Sequence, residues 1–309
     1  MSKREAVLLI TIVVVFIGGF VYYMKYIFKP APKQPTEIRV ANADSRPAQT
    51  ADSQEWILPS ALKEISANVF QDDIHMACIQ DNDGVIYIYN LQSKSIDEQI
   101  QFAGNGDYEG LALVQNTWYV LRSDGFLYEV QPQKGKKPVV KTYDLPLELE
   151  NETESLCYDS ANNRLLIAVK EKDLQEKDRK GIYSFDLTTK QMGSNAIFYI
   201  ESAVTTDDNE DKDKGDKGKK KKKGKSEIKP SDIALHPKSG DLYILDGPSS
   251  RLFITDANGN IRSRVQLDKK TFPQPEGLCF NKNGDLYISS EAGKNGQGVI
   301  VKFSPDTIQ

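Results

Sequence analysis

Five carboxylates recur along this chain at a near-constant interval: Glu64, Glu109, Glu154, Asp232 and Glu276, separated by 45, 45, 78 and 44 residues. Each belongs to a similar stretch, LKEISANVFQDDIHMACI from Leu62, YEGLALVQNTWYVL from Tyr108, TESLCYDSANNRLLIAV from Thr153, SDIALHPKSGDLYIL from Ser231 and PEGLCFNKNGDLYIS from Pro275. If the repeats close into a ring, an acid at the same place in each returns at one height around the axis. Like charges brought that close raise one another's pKa and oppose folding unless a cation neutralises them. Ca2+ suits that task, because it takes about six to eight oxygen ligands with loose geometry. The competing role is local, with each acid capping a turn or accepting backbone amides in its own unit. Five acids in phase favour the cation, with all five as its expected ligands.

A second set follows 13 to 16 residues further on, at the end of the next strand: Gln80, Arg122, Lys170, Asp246 and Glu291. Its mixed charge is expected either to line a channel mouth and orient a polar ligand, or to form salt bridges between neighbouring units. Arg122 and Lys170 are candidates to pair with ring acids or with an anionic group on a ligand.

The elements that must position these residues are short strands. Each repeat holds an apolar strand, a turn and a second alternating strand. Further strands follow in GVIYIYNL, GFLYEVQP, GIYSFDL, RLFITDANG and GVIVKFSP, which place β-branched and aromatic residues at alternate positions. Asp83-Gly84, Asp124-Gly125, Asn258-Gly259 and Asn283-Gly284 supply tight turns. A period in the mid-forties built from four short strands is that of a propeller blade. The single long interval contains a charged insert, and removing it restores the period. From Glu64 onward the chain then spans slightly under five periods, so the fold class is all-β, a five-bladed β-propeller, with six blades as the alternative. Trp56, Ile57 and Leu58 are expected to supply the strand that closes the ring with the last blade.

Composition narrows the function. The 309 residues are 39% apolar and 27% charged, with a formal net charge of −4; no strong basic excess exists to grip nucleic acid. Three Cys and two His rule out a disulfide-dense module and leave little for zinc. Cys157 and Cys279 hold the same place in their repeats and read as small core residues.

Outside the repeats, three segments stand apart. Residues 6–24 (AVLLITIVVVFIGGFVYYM) carry no charge and suffice to cross a bilayer as a helix, so residues 1–28 are expected to be a retained membrane anchor rather than a cleaved signal peptide, which would end in a small-residue cleavage site. Lysines flank both sides, and charge alone does not orient the span. Residues 29–55, rich in Pro, Ala and polar residues, are expected to be a flexible tether to a propeller over 56–309. The insert at about 204–229 contains TTDDNEDKDKGDKGKKKKKGKSEIK; it cannot bury a core and is expected to be a disordered, solvated loop.

The ordered series LKEIS, GDYEGLAL, TESLCYD, KPSDIALHP and PQPEGLCF behind a single N-terminal span resembles the SdiA-regulated family of bacterial envelope proteins, itself distantly similar to NHL-repeat propellers. The resemblance covers nearly all of residues 58–305. It implies a five-bladed propeller with a calcium site built from repeat acids, held on the extracytoplasmic side of the cell membrane. Asp232 and the Lys-rich insert depart from the pattern. Two functions follow as expectations: a membrane-tethered binding or scaffold propeller with Ca2+ in its channel, which is favoured, or a calcium-dependent hydrolase of lactone or phosphoesterase type at the channel mouth.

Overall fold

A computed structural model of the chain describes residues 35–38, 45–47, 53–176, 178–201, 203–205, 225–256, 258–292 and 296–304. The expected anchor, residues 1–28, lies outside them; among the described residues no helix is long and apolar enough to cross a membrane.

The described residues form five antiparallel sheets arranged as a propeller. Blade one comprises Ile65–Phe70, His75–Gln80, Val85–Asn90 and Ser95–Gln101, from the axis outward. Blade two comprises Tyr108–Val114, Thr117–Arg122, Phe126–Gln133 and Lys136–Asp144. Blade three runs Thr153–Asp159, Arg164–Val169, Arg179–Asp186 and Phe198–Glu201, and blade four Pro230–Leu235, Leu242–Asp246, Arg251–Thr255 and Ile261–Gln266. Blade five has Pro275–Phe280, Leu286–Ser290 and Val299–Phe303, and takes its outermost strand, Gln54–Ile57, from the other end of the domain. Trp56 there pairs with Ile300 and its indole donates to the Leu91 carbonyl of blade one at 2.8 Å. The closing strand expected around Trp56 is therefore present, and the ring has five blades.

The inner and second strands of every blade are buried on both faces, which is why they carry apolar residues on both sides. In Arg164–Val169, Leu165, Ile167 and Val169 pack toward blade two, whereas Leu166 and Ala168 pack toward blade four. Five such apolar clusters fill the five seams between blades, one each. Polar contacts add to the seam between blades two and three, where Lys190 Nζ donates to Glu129 at 2.6 Å beside Tyr143.

Part of the stretch assigned to a tether is instead structural. Thr36–Ile38 adds a parallel strand to the outer edge of blade three and Ser45–Pro47 does the same for blade four. Its sequence shows no strand periodicity, because an open sheet edge accepts any extended segment through backbone groups alone. Ile38 is fully buried among Ile182, Ile200, Ile228 and Phe253 at the seam of blades three and four. Ile38→Ala should cost about 2–4 kcal/mol in urea denaturation, a loss that a free tether would not show. The insert is likewise shorter than expected: Ala203–Thr205 and Lys225–Glu227 pair as a two-stranded ribbon, and residues 206–224 lie outside the described residues.

Candidate cation site at the propeller axis

The innermost strand of each blade pairs in register with its neighbour except at one extra residue near its start. The shifts fall between Ile65 and Ala67, Tyr108 and Gly110, Thr153 and Ser155, Pro230 and Asp232, and Pro275 and Gly277. The bulged residues are Ser66, Glu109, Glu154, Ser231 and Glu276. A β-bulge leaves its extra residue unpaired and re-aims that side chain; here every blade puts an oxygen-bearing side chain at the bulge.

This register corrects the phase read from the acids. Glu109, Glu154 and Glu276 are equivalent, but Glu64 lies two residues before its bulge and Asp232 one residue after. Glu64 has a side chain 46% exposed with Lys63 Nζ at 3.6 Å. Asp232 belongs to a column otherwise filled by Ala67, Gly110, Ser155 and Gly277. The column is small because the inner strands crowd each other; a Cβ on Gly110 would stand 2.7 Å from Leu156 Cβ. Aligning the repeats on this small-residue column, rather than on the acids, places the bulges correctly.

Asp232 performs the local role that competed with the cation. Its Oδ1 accepts the Ile233 amide at 2.8 Å and its Oδ2 the Leu278 amide at 2.7 Å, with the Leu156 amide as a further donor. Amides on the axial edge of an inner strand have no neighbouring strand to accept them, and this carboxylate serves blades three, four and five at once. Burial pushes its carboxyl well above the ordinary range, against the pull of those amides.

The other three acids do converge. Burial raises Glu154 to about 8, with Glu276 adding to the rise and Lys170 opposing it. Burial likewise raises Glu276 to about 8, and lifts Glu109 well above its ordinary value with Glu154 contributing. Lys170 Nζ donates to Glu154 Oε1. Burial works against its charge, but Glu154, Glu276 and Glu109 outweigh burial and raise its pKa. Glu154 Oε2 and Ser66 Oγ are buried without a hydrogen-bond partner among the described residues.

The second set divides in the same way. Gln80, Arg122 and Asp246 end their strands and are taken up locally. Gln80 accepts the Asn82 amide at 3.1 Å. Arg122 makes two 2.7 Å hydrogen bonds to Asp124 and lies 4.6 Å over the Phe126 ring. Asp246 forms a buried pair with Arg251 at 2.5 Å. Lys170 and Glu291 stand one residue further along, level with Asp81 and Ser123, since the amides of all four donate to the carbonyl two residues before a bulge. Burial lifts Glu291 to about 7, helped by Asp81 and Glu64. Asp81, missed in the sequence because it follows rather than ends its strand, is also raised, by burial and then by Glu64 and Asp107.

The donors are hard oxygens with more negative charge than Lys170 neutralises, which fits a cation such as Ca2+. As the side chains stand, no group of three His, Cys, Asp or Glu residues among those described is arranged around one ion; Lys170 hydrogen-bonds Glu154 and feels Glu276 and Glu109 electrostatically. Cys78, Cys157 and Cys279 are buried free thiols, in keeping with core positions.

The sequence model of the SdiA-regulated proteins matches residues 63–294, from just before the first inner strand to just after the second strand of the last blade. The chain belongs to the SdiA-regulated family. No curated protein matches the sequence. Among solved structures, this SdiA-regulated propeller is similar to a glutaminyl cyclase of Myxococcus xanthus, at 14% identity and a TM-score of 0.52, over 88% of this chain and 100% of the other. It is also similar to a streptogramin B lyase, at 12% identity and a TM-score of 0.45, over 81% and 96% of the two chains. The identities are too low to carry more than the fold.

Proposed function

We propose that this SdiA-regulated protein is a binding propeller of the bacterial cell envelope, tethered to the membrane by its N-terminal segment with the propeller on the extracytoplasmic side, and that its axial ring takes a Ca2+ ion. One observation supports the cation above the others. Three glutamates occupy equivalent bulges and remain pushed toward protonation with Lys170 beside them, while Glu154 Oε2 and Ser66 Oγ have no partner among the described residues. Glu109, Glu154 and Glu276 would hold the ion, with Ser66 able to add a neutral oxygen; Glu64 and Asp232 leave the ligand set. Bound there, the ion supplies a centre of positive charge at the axis. The residues around it fix the inner strands, and Lys170 and Glu291 flank whatever polar group approaches.

The test is the stability of the full chain in detergent, with Ca2+ and with EDTA. Binding should add about 2.7 kcal/mol at a hundredfold excess over Kd; equal melting temperatures would remove the cation. Hydrolysis of a lactone or phosphate ester is the second reading, and one placement favours it: Glu291, raised to about 7, lies outside the ring and near the operating range of a general base. Turnover of such esters lost in Glu291→Gln would establish that reading, and no turnover by the wild type would end it.

A further inference from the structure

Blade three differs from the others at one place. Level with Asp81, Ser123 and Glu291 it carries Lys170, a base where its counterparts are acidic or neutral. The Lys170 amide is held by the Glu152 carbonyl, and beyond it the long side chain keeps 18% of its surface exposed. Its Nζ takes one oxygen of Glu154 and is attracted by Glu276 and Glu109, the same three carboxylates that the calcium reading assigns to the ion. Toward the rim, Glu291 lies within its electrostatic reach, so an acceptor is at hand if Nζ withdraws. The nearby cations are taken up elsewhere: Lys229 pairs with Glu171 and Lys63 lies exposed on Glu64.

We propose that Lys170 is a tethered competitor for the axial cation: its ammonium occupies the glutamate ring in the calcium-free protein and is displaced when Ca2+ enters. The inference rests on the calcium reading above. An entering dication must break the Lys170–Glu154 pair and then share the ring with a repelling positive charge, so each binding event is an exchange of one cation for another. Two consequences follow. The empty ring is stabilised, because Lys170 offsets part of the charge of the three buried carboxylates. The affinity is set lower than three glutamates alone would give, which reserves the site for calcium-rich surroundings. Lys170 is thus an affinity-setting residue rather than a ligand.

Calorimetric titration of the full chain in detergent with Ca2+ alone tests this, beside calcium-free melting temperatures. Lys170→Met removes the competitor and keeps the carboxylates. Its Kd should fall at least tenfold, about 1.4 kcal/mol, while its calcium-free melting temperature drops below that of the wild type. Lys170→Arg retains the charge and should bind within about threefold of the wild type. Should Lys170→Met fail to fold without calcium, Lys170→Gln, which can still donate to Glu154, takes its place with the same expected tightening. A wild type that binds and neutral variants that bind no tighter overturn the competitor role and leave the calcium reading intact. No binding by the wild type or by either neutral variant overturns both.

Discussion

Asp232→Ala lowers the unfolding free energy by roughly 4–6 kcal/mol, the largest loss expected from a single side chain in this protein. The carboxylate is buried and accepts amides from the inner strands of blades three, four and five. Removing it leaves three buried N–H groups without acceptors, each costing about 1–3 kcal/mol, and opens a void where strands from three blades meet. For a domain of this size the melting temperature should fall by roughly 10–20 °C. Asp232→Asn keeps one acceptor oxygen, and its loss should be about half as large. Urea denaturation at neutral pH measures both. A loss below about 1 kcal/mol for the alanine variant would mean that the amides find other acceptors, and Asp232 would then be free to serve as a ligand.

The calcium-free protein should lose stability as pH rises from about 5 to 8. Glu154 and Glu276 titrate near 8 in the folded state against an ordinary 4.5, and Glu291 near 7. Between these limits the folded protein holds protons that the unfolded chain has released, so the unfolded state is favoured progressively with pH. The contribution is complete below about 4.5 and gone above about 8. Every tenfold gain in a carboxylate's proton affinity on folding corresponds to about 1.36 kcal/mol, and the coupled pair should give a decline of several kcal/mol. Glu154→Gln with Glu276→Gln should flatten the profile and leave the double variant more stable than the wild type at pH 8 in EDTA. A wild-type profile that rises from pH 5 to 8 would show that Lys170 alone neutralises the ring. Glu129 acts in a separate window. Burial pushes it up, but Lys190, Tyr143 and Lys141 hold it down to about 2, so its contribution is present at neutral pH and is lost only as pH falls from about 4.5 through 2.

The chain by itself determined the architecture. A period near 45 residues, strands rich in β-branched and aromatic residues and paired turn residues specify blades, because a sheet packed between two neighbours buries both faces of its inner strands, and five units with a closing strand at Trp56 complete the ring. It also determined that Glu109, Glu154 and Glu276 recur in phase. Tertiary structure decided the rest of the site. Whether an acid faces the axis depends on where the bulge falls, and a shift of one residue turns a side chain to the other face. In blade four that single step puts Ser231 at the bulge and commits Asp232 to backbone amides; in blade one the bulge falls on Ser66, two residues past Glu64, whose side chain stays half exposed. The ribbon and the edge strands at Thr36–Ile38 and Ser45–Pro47 were equally invisible along the chain, since backbone groups rather than a side-chain pattern hold them. Lys170 was visible as a charge, but only the folded ring brings it among three glutamates from blades two, three and five.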